Sequence, residues 1–416
     1  MRILLYGLNY PPDLIGVAKY TGEMAVWLAA QGDSVRVVTA PPYYPEGRVK
    51  GGYSAWRFRR ETLEGVPVLR CPLWVRPALE GARRVFHLLS FALTSVVPLL
   101  AISLFWRPDA IVVFVPTLLS GPAGALAARL SGAACWIHVQ DLEIDAAFRL
   151  GQIRSARLKR FAGTLERAVL RRFDVISSIS EAMCTILRRK IGTPQPVIFF
   201  PNWVDLQTIR PLAHPSRFRA ELGLAEDDVV VLYAGNMGGK QGLETVIEAA
   251  RRLAGTPGLS FILAGNGSVR PALEAAAADL PTVRFLPLQP ADRFNDLLNL
   301  ADIHLMPERP DAAELFMPSK LTGMMASGRP VIAGALPDTE LYRVVGACGR
   351  VVAPADSAAL AEAILSLSAS SEERRRLGEQ ARKLAAELWD KQDVLGRFRG
   401  TLAGLVAARN KQVAAV

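Results

Sequence analysis

Cysteine and histidine are scarce in this chain, with four of each in 416 residues. Cys71, Cys135, Cys184 and Cys348 lie far apart and none forms a C-x-x-C pair, so spacing sets up neither a metal site nor a redox pair. Cys135 stands in an apolar run, where a small buried hydrophobe is expected. The natural home is a reducing, cytosolic one. No Asp-x-Asp pair sits at the end of a strand-like run (Asp227-Asp228 falls in a linker), so neither a metal nor a cofactor is expected. No tight Lys/Arg run with interleaved aromatics appears, which argues against nucleic acid as a partner. There is no short-period repeat and no low-complexity tract. Nor does the start read as a signal peptide: Arg2 leads straight into Ile3-Leu4-Leu5-Tyr6, ended by Gly7 without a small-residue cleavage site, which suits a first strand.

What is present is a globular composition, half hydrophobic and about a fifth charged. The length exceeds one compact core and suits two domains. The net charge of +10 is one-sided. Residues 1–205 carry 25 Lys+Arg against 15 Asp+Glu, and residues 206–416 carry 24 against 24. A basic excess confined to one half points to an anionic partner, and lipid phosphate is the expected one.

Short apolar runs alternate with helical patterns throughout, the signature of parallel sheets covered on both faces. Seven such runs precede Pro201 and six more follow residue 228, with a proline-containing connection between them. The expected fold is therefore α/β, with two Rossmann-like, doubly wound parallel-sheet domains. The domains are 1–205 and 206–390, with 391–416 a C-terminal helix crossing back to the first. Phe86–Trp106 is nearly all apolar, flanked by Arg83-Arg84 and Arg107, and long enough to span a bilayer. Its embedded His87, Ser90, Thr94, Ser95 and Ser103 favour a helix or helix pair that covers the sheet or lies on a membrane surface, since a span would divide the sheet between compartments.

Ligands of such folds gather at the carboxyl ends of the strands. In the second half, Ala234-Gly235-Asn236-Met237-Gly238-Gly239-Lys240-Gln241-Gly242 follows a strand and opens a helix at Leu243. Glycines there permit close backbone approach, a helix N-terminus favours phosphate, and Lys240 adds a cation. Gly265-Asn266-Gly267 stands at the next helix start and is weaker evidence alone. An acidic loop with Asp311 and Glu314 leads into Pro318-Ser319-Lys320-Leu321-Thr322-Gly323, where proline at a helix start leaves backbone N–H groups open beside Lys320. In the first half, the run Ala134–Val139 leads into Gln140-Asp141. His138 is either a satisfied core histidine or a polar group facing the site. Asp141 suits orientation of an acceptor hydroxyl or a helix N-cap.

Four blocks together resemble the family-4 glycosyltransferases of the GT-B fold over essentially the whole chain. They are Tyr10-Pro11-Pro12 through Gly16; Ser178-Ile179-Ser180-Glu181; Pro201-Asn202-x-Val204-Asp205; and Ala326-Ser327-Gly328-Arg329-Pro330-Val331. The Pro-Ser-Lys form, the Gly-Asn-Met-Gly loop and the opening are most similar to the WcaI-type branch, associated with colanic acid and related exopolysaccharide or O-antigen synthesis. The resemblance implies a retaining transferase with its site in the cleft between two domains. The donor is a nucleotide diphosphate sugar, and the acceptor a glycan or polyprenyl-linked glycan. The implied location is cytoplasmic, at the inner face of the membrane, with peripheral contact through the first domain. Gly16 would approach the donor diphosphate or sugar, Gly235 to Lys240 would hold the diphosphate, and Leu286 and Pro287 would lie against the base. Glu314 to Gly323 would hold sugar and ribose, with His138, Gln140 and Asp141 on the acceptor side.

The departures from that pattern are specific. Asn236 and Gln241 replace the usual Arg and Lys of the phosphate loop, with Lys240 one residue early. Gly323 stands where the ribose-binding glutamate belongs, and Gln140 where a histidine does. These leave two alternatives, a non-catalytic assembly subunit and a sugar-nucleotide epimerase.

Overall fold

The computed structural model describes all residues except 14–15, 45, 78–80, 116–117, 143–154, 311–316 and 415–416, and the side chains at 82, 156 and 412–414. The chain divides into two compact units, Met1–Pro201 with Leu395–Val416, and Asn202–Val394.

Among the described residues, the first unit is built on eight strands: β1 (Arg2–Gly7), β2 (Ser34–Thr39), β3 (Arg59–Leu63), β4 (Val66–Arg70), β5 (Ala110–Val115), β6 (Ala134–Val139), β7 (Val175–Ser178) and β8 (Val197–Phe199). Their order is β3-β4-β2-β1-β5-β6-β7-β8. All pairings are parallel except β3 with β4. Strands β5 and β6 are buried at every position, the consequence of helices on both faces of a parallel sheet. The strand that apolar runs do not announce is β3. Its sequence RRETL is largely exposed and antiparallel at the sheet edge, where charged side chains are the rule.

The second sheet has, among the described residues, six parallel strands: β9 (Val229–Ala234), β10 (Leu259–Ala264), β11 (Val283–Leu286), β12 (Ile303–Met306), β13 (Val331–Gly334) and β14 (Arg350–Val352). Their order is β11-β10-β9-β12-β13-β14. Strand order reverses between β1 and β5 in one sheet and between β9 and β12 in the other, and loops beyond the carboxyl ends at such points make ligand crevices.

Phe86–Trp106 belongs to one helix, Gly81–Trp106, with Pro98 inside it, and not to a helix pair. Phe91, Ser95, Leu99 and Ser103 recur every fourth residue and are all fully buried. Ser95 Oγ shares a 2.7 Å hydrogen bond with Tyr6 Oη of β1, and the Phe91 ring stacks on Tyr6 at 5.7 Å. Of the embedded polar residues, Ser95 thus bonds the sheet, His87, Ser90 and Thr94 bond the segment 72–74 after β4, and Ser103 bonds Leu99 O of its own helix. The opposite face is open: Val97 is 75% exposed and Phe105 89%. The helix is long and apolar enough to cross a membrane, and most of its apolar length is not buried within the protein.

The long charged stretch from Ser371 forms two helices, Ser371–Trp389 and Lys391–Ala414. The break has a cause: Val204 of the linker donates to Trp389 O at 2.8 Å and accepts from Lys391 N at 3.1 Å, bridging to Asp390. These contacts put residues 202–205 in the second unit. Further along, Phe398 packs against Trp136 and Phe200, Arg399 pairs with Asp33 at 2.7 Å, and Arg409 pairs with Asp174 at 2.8 Å, all within the first unit.

Candidate active site

The second unit gathers its conspicuous residues at the carboxyl ends of β9 and β12. Gly235 follows β9 with φ +152°, a conformation natural only to glycine. The Lys320 ammonium sits beside it. Lys320 Nζ donates to Tyr233 Oη at 3.0 Å and lies 4.4 Å from the Tyr233 ring centre, and Tyr233 in turn donates to Asn236 O at 2.5 Å. A side chain added at Gly235 would begin 3.8 Å from that nitrogen. A lysine from the helix Lys320–Ala326 is thus clamped by a β9 tyrosine against the glycine loop.

Glu308, two residues beyond β12, completes the group. One of its oxygens is buried without a hydrogen-bond partner. Burial pushes its carboxyl up to about 7, against the lowering effect of Lys320. Burial likewise pulls the Lys320 ammonium down to about 8, against the raising effect of Glu308. Each group resists ionisation alone and supports it in the other.

The loop Gly235–Gly242 is not a single helix start. Gly239–Gln241 form a 3-10 turn, Gln241 Oε1 accepts from Gly238 N at 3.0 Å, and the helix begins at Glu244. Asn236, Gly239 and Lys240 are exposed on this turn. A Cβ at Gly239 would meet nothing within 4 Å, so backbone here is open to a ligand. Among the described residues, no group of three or more His, Cys, Asp or Glu is placed to hold a metal ion.

Residues 16–203 match the Glycosyl transferase 4-like domain, and residues 216–384 match Glycosyl transferases group 1. The colanic acid biosynthesis glycosyl transferase WcaI of Escherichia coli (strain K12) is 40% identical over 415 residues, covering 97% of this chain and all of the relative. The chain belongs to that glycosyltransferase family. Among solved structures, sucrose-phosphate synthase from Thermosynechococcus elongatus superposes with a TM-score of 0.77 at 20% identity, over 98% of this chain and 100% of that one. HepE from Anabaena, in complex with UDP and glucose, gives 0.70 at 16% identity over 97% and 99%. The lipopolysaccharide glycosyltransferase WaaG gives 0.67 at 18% over 97% and 100%. The fold of this glycosyltransferase is therefore GT-B.

Several residues picked from sequence stand elsewhere than the family pattern implies. Leu321 is fully buried with Leu298, Met306 and Met324, and is core. Gly265 and Gly267 face the neighbouring loop: a Cβ on Gly265 would lie 1.9 Å from Gly235 O, and one on Gly267 2.1 Å from Met237 O. Their missing side chains let two loops pack backbone to backbone. Gly323 is buried, and a Cβ there would meet Leu298 and Phe294.

In the first unit the structure selects the core alternative for His138. It is 2% exposed between Phe114 and Phe200, bonds Ser177 Oγ at 2.8 Å, and burial pulls its pKa down to about 3. Gln140 is also buried, Asp141 is exposed, and Gly16 opens the helix Gly16–Ala30. Leu286 is partly buried and Pro287 exposed after β11; Pro318 and Ser319 precede the Lys320 helix, with Ser319 exposed. Glu314 and Asp311 lie outside the described residues.

Three participants escaped sequence reasoning. Tyr233 reads as strand core, Glu308 as an ordinary loop acid, and Arg270 as surface charge. Arg270 Nη1 donates to Gly265 O at 2.6 Å, Asn266 Oδ1 at 3.0 Å and Leu286 O at 3.0 Å, tying the ends of β10 and β11 together. A basic residue five after a strand-end glycine is the only signal that marked it.

Proposed function

We propose that this chain is a retaining, metal-independent hexosyltransferase. It moves a sugar from a UDP- or GDP-type nucleotide diphosphate sugar to a glycan or polyprenyl-diphosphate-linked acceptor in exopolysaccharide or O-antigen synthesis. One observation carries the reading: the Lys320 ammonium, held by Tyr233 beside Gly235 at the reversal of strand order. Departure of the nucleoside diphosphate builds negative charge on the β-phosphate, and a fixed, poorly solvated cation beside open backbone N–H groups stabilises it. Lys320 is the cation, and Asn236 and Gly239, both exposed on the glycine loop, offer the backbone. With the leaving group served in this way, retention follows from delivery of the acceptor hydroxyl on the face the leaving group vacates. The epimerase alternative wants acid/base carboxylates and histidines at the site; Glu308 is such a carboxylate, but His138 and His304 are both buried and held neutral.

Membrane contact is part of the reading. Beside the open face of the helix Gly81–Trp106, the helix Gly121–Ser131 exposes Leu126 and Leu130, and the helix Ala156–Leu170 exposes Leu158, Phe161 and Leu165. Arginines accompany them at 83, 84, 129, 157 and 160. Apolar surface with basic neighbours suits the boundary of an anionic leaflet, where the lipid part of a polyprenyl-linked acceptor resides.

The test is a thermal-shift screen with UDP-, GDP- and dTDP-sugars, followed by product analysis with the donor that stabilises. A ligand of the native state raises Tm. Stabilisation that Lys320→Ala abolishes is expected. No stabilisation by any of them removes the donor site, and stabilisation without turnover favours the non-catalytic subunit.

A further inference from the structure

A cavity of about 160 Å³ lies in the first unit, between the helix Gly16–Ala30 and the β3–β4 hairpin. Pro11, Val26 and Leu63 make its apolar walls, and Tyr10, Lys19, Glu23 and Glu64 bring polar groups to it. Gly22 lets Pro11 rest directly on the helix, since a Cβ there would overlap the proline ring. The hairpin is the edge of the sheet, and β2 separates it from β1 and the reversal beside β5. The cavity is thus set off from the crevice where ligands of such sheets gather, and the donor reading does not use it.

Two of its residues are unfavourable to the fold by themselves. Tyr10 is 1% exposed, and among the described residues its hydroxyl has no hydrogen-bond partner. Buried hydroxyls are nearly always paired. Burial pushes this one up to about 12, with Arg70 acting against it and Glu64 and Glu61 with it, so it keeps its proton. The influence of Glu64 sets the hydroxyl on the Glu64 side of the cavity. Glu64 itself has φ +48° in the two-residue turn Glu64-Gly65 that closes the hairpin, and Gly65 has φ +81°. Two positive φ values make a type I′ turn, where asparagine or aspartate belongs and glutamate is strained. An unpaired hydroxyl and a strained carboxylate on one cavity are the mark of a site kept for a ligand.

The charges around the cavity nearly cancel. Lys19 Nζ lies 3.8 Å from Glu23, and Arg70, 5.6 Å from the Tyr10 ring centre, pairs with Glu61 at 2.8 Å. Glu64 makes the balance negative by one, which disfavours an anion, while Lys19 and Arg70 both oppose a cation. A neutral ligand rich in hydroxyls meets every group: Tyr10 and Lys19 donate, the carboxylates accept, and the apolar walls lie against C–H bonds. A volume near about 150 Å³ holds one six-membered ring. We propose that the cavity is a second ligand site, which takes one neutral pyranose ring with Tyr10 as donor and Glu23 and Glu64 as acceptors. A free sugar and one unit of a glycan present this same chemistry. The site goes beyond the transferase reading and does not depend on it.

The test uses the full chain with methyl glycosides of glucose, galactose and mannose, and with cellobiose and lactose as glycan pieces. Glucuronic acid and glucosamine are the anionic and cationic controls. Binding is read by saturation-transfer NMR and titration. At least one neutral sugar should bind, and more tightly than either charged control. A disaccharide that binds at least as tightly identifies a glycan as the source, and binding by methyl glycosides alone identifies a free sugar. Tyr10→Phe should weaken the sugar roughly five- to tenfold, as loss of one hydrogen bond requires. Its Tm without sugar should not fall, because the lost hydroxyl bonds no described residue. Glu64→Asn removes the carboxylate and suits the turn, so Tm should rise while sugar binding weakens. Val26→Phe fills the cavity and should abolish sugar binding. Absence of binding by every neutral sugar, binding unchanged in Tyr10→Phe and Val26→Phe, or equal binding of a charged control overturns the proposal. Stabilisation by the nucleotide sugar that persists in any of these outcomes leaves the transferase reading standing.

Discussion

Lys320 has neighbours that pull its charge in opposite directions, and this makes its ionisation readable in kinetics. Burial lowers its pKa from an ordinary 10.5 to about 8, while Glu308 raises it. Donor kcat/KM, which reports the free enzyme, should therefore fall as pH rises through about 8. Lys320→Arg, whose charge does not titrate there, should remove the fall, and Glu308→Gln should move it to lower pH. A profile flat to pH 9.5 in the wild type would remove Lys320 from the donor site. At pH 7, Lys320→Ala should cost roughly 1.5–3 kcal/mol of transition-state binding, about 10- to 150-fold in kcat/KM. Exposed Lys240 is screened by solvent, and Lys240→Ala should cost about 1 kcal/mol or less.

The glycines separate in the same way. Gly239→Ala meets nothing and should leave Tm unchanged while weakening the donor if backbone there touches phosphate. Gly265→Ala drives a Cβ into Gly235 O at a φ of +143° and should lower Tm sharply whatever the ligand. Both glycines stand in similar strings, so sequence could mark the loops but not which glycine serves packing and which serves approach. Leu321 was hidden for a related reason. A motif names consecutive residues, but in the helix Lys320–Ala326 neighbours point in different directions, and Leu321 turns into the core.

At the scale of elements, sequence reading succeeded where burial is symmetric and failed where it is not. Strands covered on both faces announce themselves as apolar runs, and thirteen of the fourteen strands among the described residues coincide with such runs, the part-exposed β11 and β14 included; β3, charged and at the edge, does not. Composition marked the helix Gly81–Trp106 as unusual but could not say which face packs. Its Phe91-Ser95-Leu99-Ser103 row predicts a divided response to mutation. Ser95→Ala breaks the bond to Tyr6 and leaves that buried hydroxyl to Ser120, which should cost about 1–2 kcal/mol of stability. Val97→Glu, on the open face, should leave unfolding within about 0.5 kcal/mol of wild type yet weaken liposome binding. Urea denaturation and vesicle sedimentation read the two effects apart. A Val97→Glu protein that unfolds like Ser95→Ala would mean the open face is covered in solution.

At the scale of the molecule, the basic excess of residues 1–205 and the apolar patch stand in the same unit, which makes the membrane reading testable as one property. Wild type should sediment with vesicles containing phosphatidylglycerol and less with neutral phosphatidylcholine. Each basic residue near an anionic surface contributes about 1 kcal/mol, so Arg83→Glu/Arg84→Glu, which changes the local charge by four, should lose most of the anionic preference. Raising salt to about 1 M shrinks the Debye length to about 3 Å and should do the same to the wild type. The residual binding on neutral lipid should then follow the apolar face, at roughly 25 cal/mol for each Å² withdrawn from water, and should fall with Val97→Glu. Two independent contributions, one removed by salt and the other by a buried charge, are what a peripheral enzyme requires. Binding insensitive to lipid charge, to salt and to the arginine reversal would instead make the open helix face a surface for something other than a membrane.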